Sequence, residues 1–155
     1  MTHPASILFV CLGNICRSPL AEAALRAAAG GAGIRIEIDS AGTGDWHAGE
    51  PPDPRAQAVA RRHGVDIAWM RARQLDDADF RRFDQILALD HNNLAALQAI
   101  VPADATATLG LLLDCVPGRE GQRVHDPYYG PDAGFEQTWN DVAAAAAQIV
   151  RHWRA

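Results

Sequence analysis

Residues 7 to 20 constrain this chain more than any other stretch, because they read as a strand, a tight loop and a helix with no spare residues between them. Ile-Leu-Phe-Val at 7 to 10 is an apolar run suited to a buried strand, and Pro19-Leu-Ala-Glu-Ala-Ala-Leu suits a helix with proline in its first turn. The intervening loop, Cys11-Leu-Gly-Asn-Ile-Cys-Arg-Ser18, therefore ends at a helix amino terminus. Backbone N–H groups and the helix dipole there converge on one point, an anion site worth about half an elementary charge before any side chain contributes. Phosphate is the oxyanion such a loop fits.

Two side chains give the loop chemistry. Cys11 stands at the end of the strand, where loop amides and Arg17 favour thiolate over thiol, so its sulfur can attack phosphorus. Arg17 lies six positions on, and its planar fork can take two equatorial phosphate oxygens, which a lysine point charge does less well. Ser18 can donate its hydroxyl to the Cys11 sulfur. Gly13 and Asn14 suit a turn that needs positive φ and lets consecutive amides face inward. With 3 Cys and 14 Arg in 155 residues, a Cys with an Arg six places later arises by chance in about one shuffle in four. The spacing is weak alone; its place between strand and proline-led helix makes it specific.

Periodicity extends the pattern. A helix runs from Pro19 to about Ala29 and ends at Gly30-Gly31, a second strand covers Ile34 to Asp39, and Ser40-Ala-Gly-Thr-Gly turns the chain back. Asp45 to Asp53 is a rim loop, followed by a helix from Pro54 to Arg62, a short helix from Asp76 to Phe80 and a third strand from Gln85 to Leu89. A helix from Asn92 to Ile100, a fourth apolar run from Thr106 to Leu113 and an amphipathic helix from Phe135 to Trp153 complete the chain. Strands alternating with helices imply right-handed crossovers: a single α/β domain with a parallel sheet, helices on both faces, and ligands at strand carboxyl ends.

Composition narrows the function. Net charge is −5 and all 14 basic residues are arginine, which argues against a general nucleic-acid binder and excludes the lysine-dependent Gly-x4-Gly-Lys nucleotide loop. The arginine pairs 61/62, 71/73 and 81/82 read as solvated faces rather than a polyanion groove. No apolar window approaches a membrane span, and no basic segment followed by an apolar stretch opens the chain. Three cysteines do not suit a secreted disulfide framework, so a reducing cytoplasm is expected. His47, His63, His91 and His125 lack metal-ligand spacing and read as surface or capping residues.

A cysteine that takes phosphate from an ester also needs a proton donor for the departing oxygen. Asp126 is the candidate, stiffened by Pro127 and flanked by Tyr128 and Tyr129, whose rings can wall a slot for an aromatic leaving group. Taken by itself, the segment also reads as an aspartate capping a turn before two half-buried tyrosines.

Cys11 to Ser18 with Pro19 and Glu22, Asp39-Ser-Ala-Gly-Thr, Asp53-Pro-Arg, Ala72-Arg-Gln and Asp126-Pro-Tyr-Tyr-Gly together closely resemble the low-molecular-weight protein tyrosine phosphatases, in the same order through nearly the whole chain. The resemblance implies one three-layer domain over residues 1–155 with a four-stranded parallel sheet, and hydrolysis of phosphotyrosine and small aryl phosphates through a phosphocysteine, without metal or cofactor. It makes Cys11 the nucleophile, Arg17 the phosphate clamp and Asp126 the acid, then the base that activates water. Gly13 and Ile15 belong to its phosphate loop, and Asn14, Ser18 and Ser40 to the hydrogen-bond network beneath. Leu12, Trp46, Tyr128 and Tyr129 would wall the slot, and Cys16 would be a redox partner for Cys11; simple packing is the other reading of Cys16. Phosphotyrosyl proteins, a tyrosine kinase and inorganic phosphate are the implied partners of a monomer. Many relatives carry histidine where this chain has Met70; because a thioether is a poor hydrogen-bond partner, the Asn14 and Ser40 contacts are expected to rearrange. Arsenate reductase on the same scaffold is the rival enzyme, and a non-catalytic phosphotyrosine binder the rival module. Against the first, Cys115 is the only thiol outside the loop.

Overall fold

The computed structural model describes residues 4 to 154; the opening Met1, Thr2 and His3 of the segment read above for a leader lie outside it. Strands β1 (Ser6–Cys11), β2 (Glu37–Gly42), β3 (Gln85–Ala88) and β4 (Thr108–Leu111) form one sheet in the order β2-β1-β3-β4. Every pairing is parallel. The central position of β1 explains its unbroken apolar sequence, since both of its faces are covered. Ile7, Phe9 and Cys11 face one core with helices α1 (Arg17–Gly31), α2 (Pro54–Arg62) and α5 (Ala133–Arg154). Leu8 and Val10 face the other with Phe80 of α3 (Asp79–Arg82) and Leu97 of α4 (His91–Ile100). The fold is thus the expected single α/β domain with four parallel strands. Among the described residues no helix is long and apolar enough to cross a membrane.

The chain leaves β1 toward β2 on one side and later returns to β3 on the other. Strand order therefore reverses at the carboxyl end of β1, which opens the crevice where ligands of such sheets bind. The loop from Cys11 fills that point. Helix α1 begins there with no side-chain cap and no acidic residue in its first turn, so no carboxylate competes for its amino-terminal N–H groups.

The second strand departs from the expected Ile34 to Asp39. Ile34 N–H is still bonded to Ala29 O at the end of α1, and the ladder with β1 runs only from Ser6↔Glu37 to Cys11↔Gly42. Ser40 to Gly42 are consequently strand rather than turn, and Ser40, level with Phe9, lies on the α1 face. Pairing register overrode local alternation here. Similarly, α1 extends through Gly31, the positive φ falling on Gly33 at 70°; α3 occupies Asp79–Arg82; and after Leu111 the chain tightens into a 3₁₀ turn, Leu112–Cys115.

The end of β2 buttresses the loop. Thr43 N–H donates to Cys11 O at 2.9 Å and Gly44 N–H to Leu12 O at 3.0 Å. A Cβ on Gly42 would lie 2.8 Å from Leu12 O, 3.1 Å from Gly44 O and 3.2 Å from Gly13 C, all main-chain atoms. Gly42→Ala should therefore displace the Leu12-Gly13 backbone and lower unfolding stability by about 1–3 kcal/mol. Urea denaturation reads this; an unchanged midpoint would show that the loop does not rest on β2 as described.

Candidate active site

Asn14 organises the loop from within. It is the one non-glycine residue with positive φ among those described, at 57°, and its burial makes its hydrogen bonds directional rather than exchangeable with water. Gly13 does not share that conformation. Its small size instead accommodates His47, whose Cδ2 would sit 3.0 Å from a Cβ there.

The Asn14 peptide N–H donates to Cys11 Sγ at 3.3 Å, and its side-chain oxygen accepts from Arg73 N–H at 3.0 Å. This orients the amide, and the Nδ2 protons go to Ser18 Oγ at 2.7 Å and Ser40 Oγ at 3.0 Å. A serine oxygen that accepts from asparagine keeps its own proton for another acceptor. Ser18 Oγ lies 3.0 Å from Cys11 Sγ and Ser40 Oγ donates to Glu22 Oε1 at 2.7 Å. Cys11 Sγ thus faces two donors, one main-chain and one hydroxyl, which fix where the sulfur points.

The Asn14 and Ser40 contacts form with methionine at position 70. Met70 is buried, and Asn14 and Ser40 are in direct contact, with Glu22 taking the Ser40 hydroxyl proton. Glu22, quoted in the sequence motif without a role, is thereby part of the site. It lies one turn after Ser18 on the buried side of α1, and Arg26, one turn further, donates Nε–H to its Oε2 at 2.8 Å.

Arg17 is almost wholly buried. Its Nη2 is 2.9 Å from Asp90 Oδ2 and 3.5 Å from Asp126 Oδ2, and Nη1 donates to Val124 O at 3.3 Å. Asp90, also missed, ends the β3 segment and caps α4 by accepting from Asn93 N–H at 2.7 Å. Its other oxygen is free to fix the guanidinium. A buried arginine without such a partner costs about 3–5 kcal/mol, so Asp90 is integral to the cradle.

Above the loop lies a cavity of about 280 Å³, lined by Cys11, Leu12, Gly13, Ile15, Cys16, Arg17, Trp46, His47, Asp126, Tyr128 and Tyr129. The slot residues expected from the sequence converge there, although Tyr129 is 95% exposed and stands at the rim. The tyrosine rings meet edge to face at 4.8 Å. Asp126 is half exposed, and its Oδ1 accepts from Tyr128 N–H at 3.2 Å. Asn14, Ser18 and Ser40 form the layer beneath rather than the lining. His47, a pocket residue the sequence did not signal, bonds through Nδ1 to Glu50 at 2.7 Å.

Cys16 is a buried thiol in the same lining, and burial first, with Asp53 and Cys11 adding to it, pushes its pKa far up. Of the other histidines read in the sequence, His63 lies 2.6 Å from Glu136 and stacks on Trp139, the His91 ring bonds Gly121 O, and the main-chain N–H of His125 donates to Asp141. Among the described residues no group of three or more His, Cys, Asp or Glu is placed to hold a metal ion.

Burial raises the Glu22 pKa, against the lowering effect of Ser40 and Arg26. The folded state therefore holds the proton to higher pH than the unfolded chain, and the stability associated with protonated Glu22 is complete below about pH 4.3 and lost as pH rises through the folded value. Relative to Glu22→Gln, the wild type should lose unfolding free energy as pH rises above that point. Denaturation midpoints of both proteins across this range check the slope; a difference that grows in favour of wild type with pH would contradict it.

The sequence profile of the family described as low molecular weight phosphotyrosine protein phosphatase matches residues 6–154. The low molecular weight protein-tyrosine-phosphatase YfkJ of Bacillus subtilis is 40% identical over 147 residues, covering 94% of this chain and 93% of its own. The low molecular weight phosphotyrosine protein phosphatase of Sus scrofa is 41% identical, covering 96% of each. The crystal structure of YfkJ superposes with a TM-score of 0.89 at 38% identity, over 99% of this chain and 96% of that one. With the profile spanning the strand, the loop and the acid-bearing segment alike, the chain belongs to the low molecular weight phosphotyrosine protein phosphatase family.

Proposed function

We propose that this protein hydrolyses phosphotyrosine in proteins, and small aryl phosphates, through a phosphocysteine on Cys11. The observation that carries this reading is the Cys11 sulfur, held by Asn14 N–H and Ser18 at the floor of a cavity whose walls bring Arg17 and Asp126 within 3.5 Å of each other. Cys11 thiolate attacks phosphorus and the bond to the aryl oxygen breaks. Asp126, carrying a proton, delivers it to that oxygen so that a neutral phenol departs. Asp126 carboxylate then takes a proton from water as the water attacks phosphorus, the S–P bond breaks, and phosphate leaves with the thiolate restored.

Arg17 spans two equatorial oxygens of the transferring group, and the loop amides take up the charge that remains. Leu12, Trp46, Tyr128 and Tyr129 supply apolar and aromatic walls, which suit an aryl group better than a short alkyl one. Cys16, in the same lining, is the thiol available to form a protective disulfide with Cys11 after oxidation. The reading takes residues 1–155 as one phosphatase domain, a cytoplasmic monomer using no metal or cofactor, whose natural counterpart is a tyrosine kinase. The arsenate reductase alternative lacks a relay: Cys115 is the sole thiol outside the loop, and burial pushes its pKa up to about 11.

Cys11→Ser should lower phosphotyrosine turnover by about 10³-fold or more while inorganic phosphate still binds in calorimetry. Retained turnover would refute the assignment of the nucleophile. Asp126→Asn should remove the falling limb of the kcat/KM profile as pH rises, since that limb reports loss of the acid's proton. A limb left in place would move the acid role to another group.

A further inference from the structure

The Asp53-Pro-Arg segment has no part in the chemistry above, yet it is bonded to both loops that perform it. Asp53 N–H donates to Ile15 O of the phosphate loop at 2.8 Å. Its carboxylate caps α2 through Arg55 N–H at 2.8 Å and grips the Arg55 guanidinium, Nε on Oδ1 and Nη2 on Oδ2, both at 3.1 Å. That guanidinium then reaches across, Nη2 donating to Tyr128 O at 3.1 Å.

The reach matters because the acid segment is otherwise anchored on its upstream side, where His125 N–H donates to Asp141 at 3.1 Å and His125 O accepts from Thr138 at 2.8 Å. Asp126 is half exposed, its Oδ1 is held by Tyr128 N–H, and its Oδ2 lies 3.5 Å from Arg17. Tyr128 is therefore the residue whose peptide groups face both ways: its N–H orients the Asp126 carboxyl and its C=O is tied to Arg55. Arg55 is itself braced, with its guanidinium carbon 4.7 Å from the centroid of buried Phe135 on α5 and 5.8 Å from that of Tyr128.

We infer that Arg55, oriented by Asp53, is a positioning residue that sets the acid-bearing loop at its working distance from the phosphate loop and so determines how well Asp126 reaches the leaving oxygen. The inference rests on Asp126 being the general acid. Arginine suits the position because Nε and Nη2 grip the two Asp53 oxygens while Nη2 also reaches Tyr128 O; a lysine ammonium lacks the planar two-point grip that fixes the direction of that reach. Loss of this brace leaves Cys11 and Arg17 in place and lets the loop at Tyr128 drift. Such a defect affects substrates in proportion to their need for a proton. A dinitrophenolate departs unaided, whereas a tyrosine oxygen does not.

The test measures kcat/KM over aryl phosphates from dinitrophenyl to phenyl phosphate for wild type, Arg55→Met, Arg55→Lys, Asp126→Asn and the Arg55→Met/Asp126→Asn double variant. Arg55→Met should lose about tenfold or more on phenyl phosphate and less than about twofold on dinitrophenyl phosphate, steepening the dependence on leaving-group acidity. Arg55→Lys should fall between, and the Arg55 effect should vanish in the Asp126→Asn background, since the two residues serve one step. An equal loss on every substrate, or additive losses in the double variant, would overturn the inference and leave Arg55 a structural residue. If Arg55→Met does not fold, Arg55→Lys with the same series decides by the same criterion. If Asp126→Asn itself leaves the leaving-group dependence unchanged, the acid assignment fails and this inference with it; if only the Arg55 variants leave it unchanged, the acid assignment stands alone.

Discussion

The directed hydrogen bonds around Asn14 are the constraint on which the site depends. A buried carboxamide with its oxygen committed to Arg73 N–H has two protons to give, and giving them to Ser18 and Ser40 forces both hydroxyls to point onward. One points to the sulfur of Cys11, the other to Glu22. The nucleophile's surroundings are thereby tied to helix α1, to the end of β2 and to the segment at Arg73, and each of these is in turn locked to the sheet. A loop free to exchange these bonds with water would retain the same residues without a preferred orientation at the sulfur.

The charges follow a similar economy. Every cation of the chain's side chains other than histidine is an arginine, and those nearest the site are each held by more than one acceptor. Arg17 is placed by Asp90 and Val124 O, and Arg73 by Asp39 and Asp79, with burial opposing and these carboxylates raising its pKa. Of the surface arginines, Arg62 pairs with Glu136, Arg81 with Asp77 and Asp104, and Arg82 with Glu37. Of the arginine pairs expected on solvated faces, Arg62, Arg81 and Arg82 are thus balanced by acids, Arg71 bonds the Ala68 and Met70 carbonyls, and Arg73 is half-buried between Asp39 and Asp79 rather than on an open face.

Much of this was legible in the sequence, and the exceptions have a common origin. The loop from Cys11 to Ser18 could be read because its geometry is local: an apolar strand, a residue tolerant of positive φ and a proline-led helix follow one another within fourteen positions. The slot could be read because Asp126, Tyr128 and Tyr129 are neighbours. The roles of Glu22, quoted only as a motif residue, and of Asp90 could not, since a glutamate inside a helix and an aspartate before one have ordinary local explanations, and only tertiary packing places them on Ser40 and Arg17. The second strand was misplaced for the same reason. Its alternation begins at Ile34, but pairing with β1 begins at Glu37, and that register is what carries Ser40 under the loop.

The central claim is that the Cys11 sulfur faces an oxyanion cradle made of main-chain donors and one guanidinium. A crystal structure with vanadate tests it most directly. Vanadium is expected within bonding distance of Cys11 Sγ, its equatorial oxygens taken by the amides of residues 12 to 17 and by Arg17, and Asp126 beside the apical oxygen. Vanadate bound elsewhere, or a cradle left empty with the sulfur turned from it, would contradict the account.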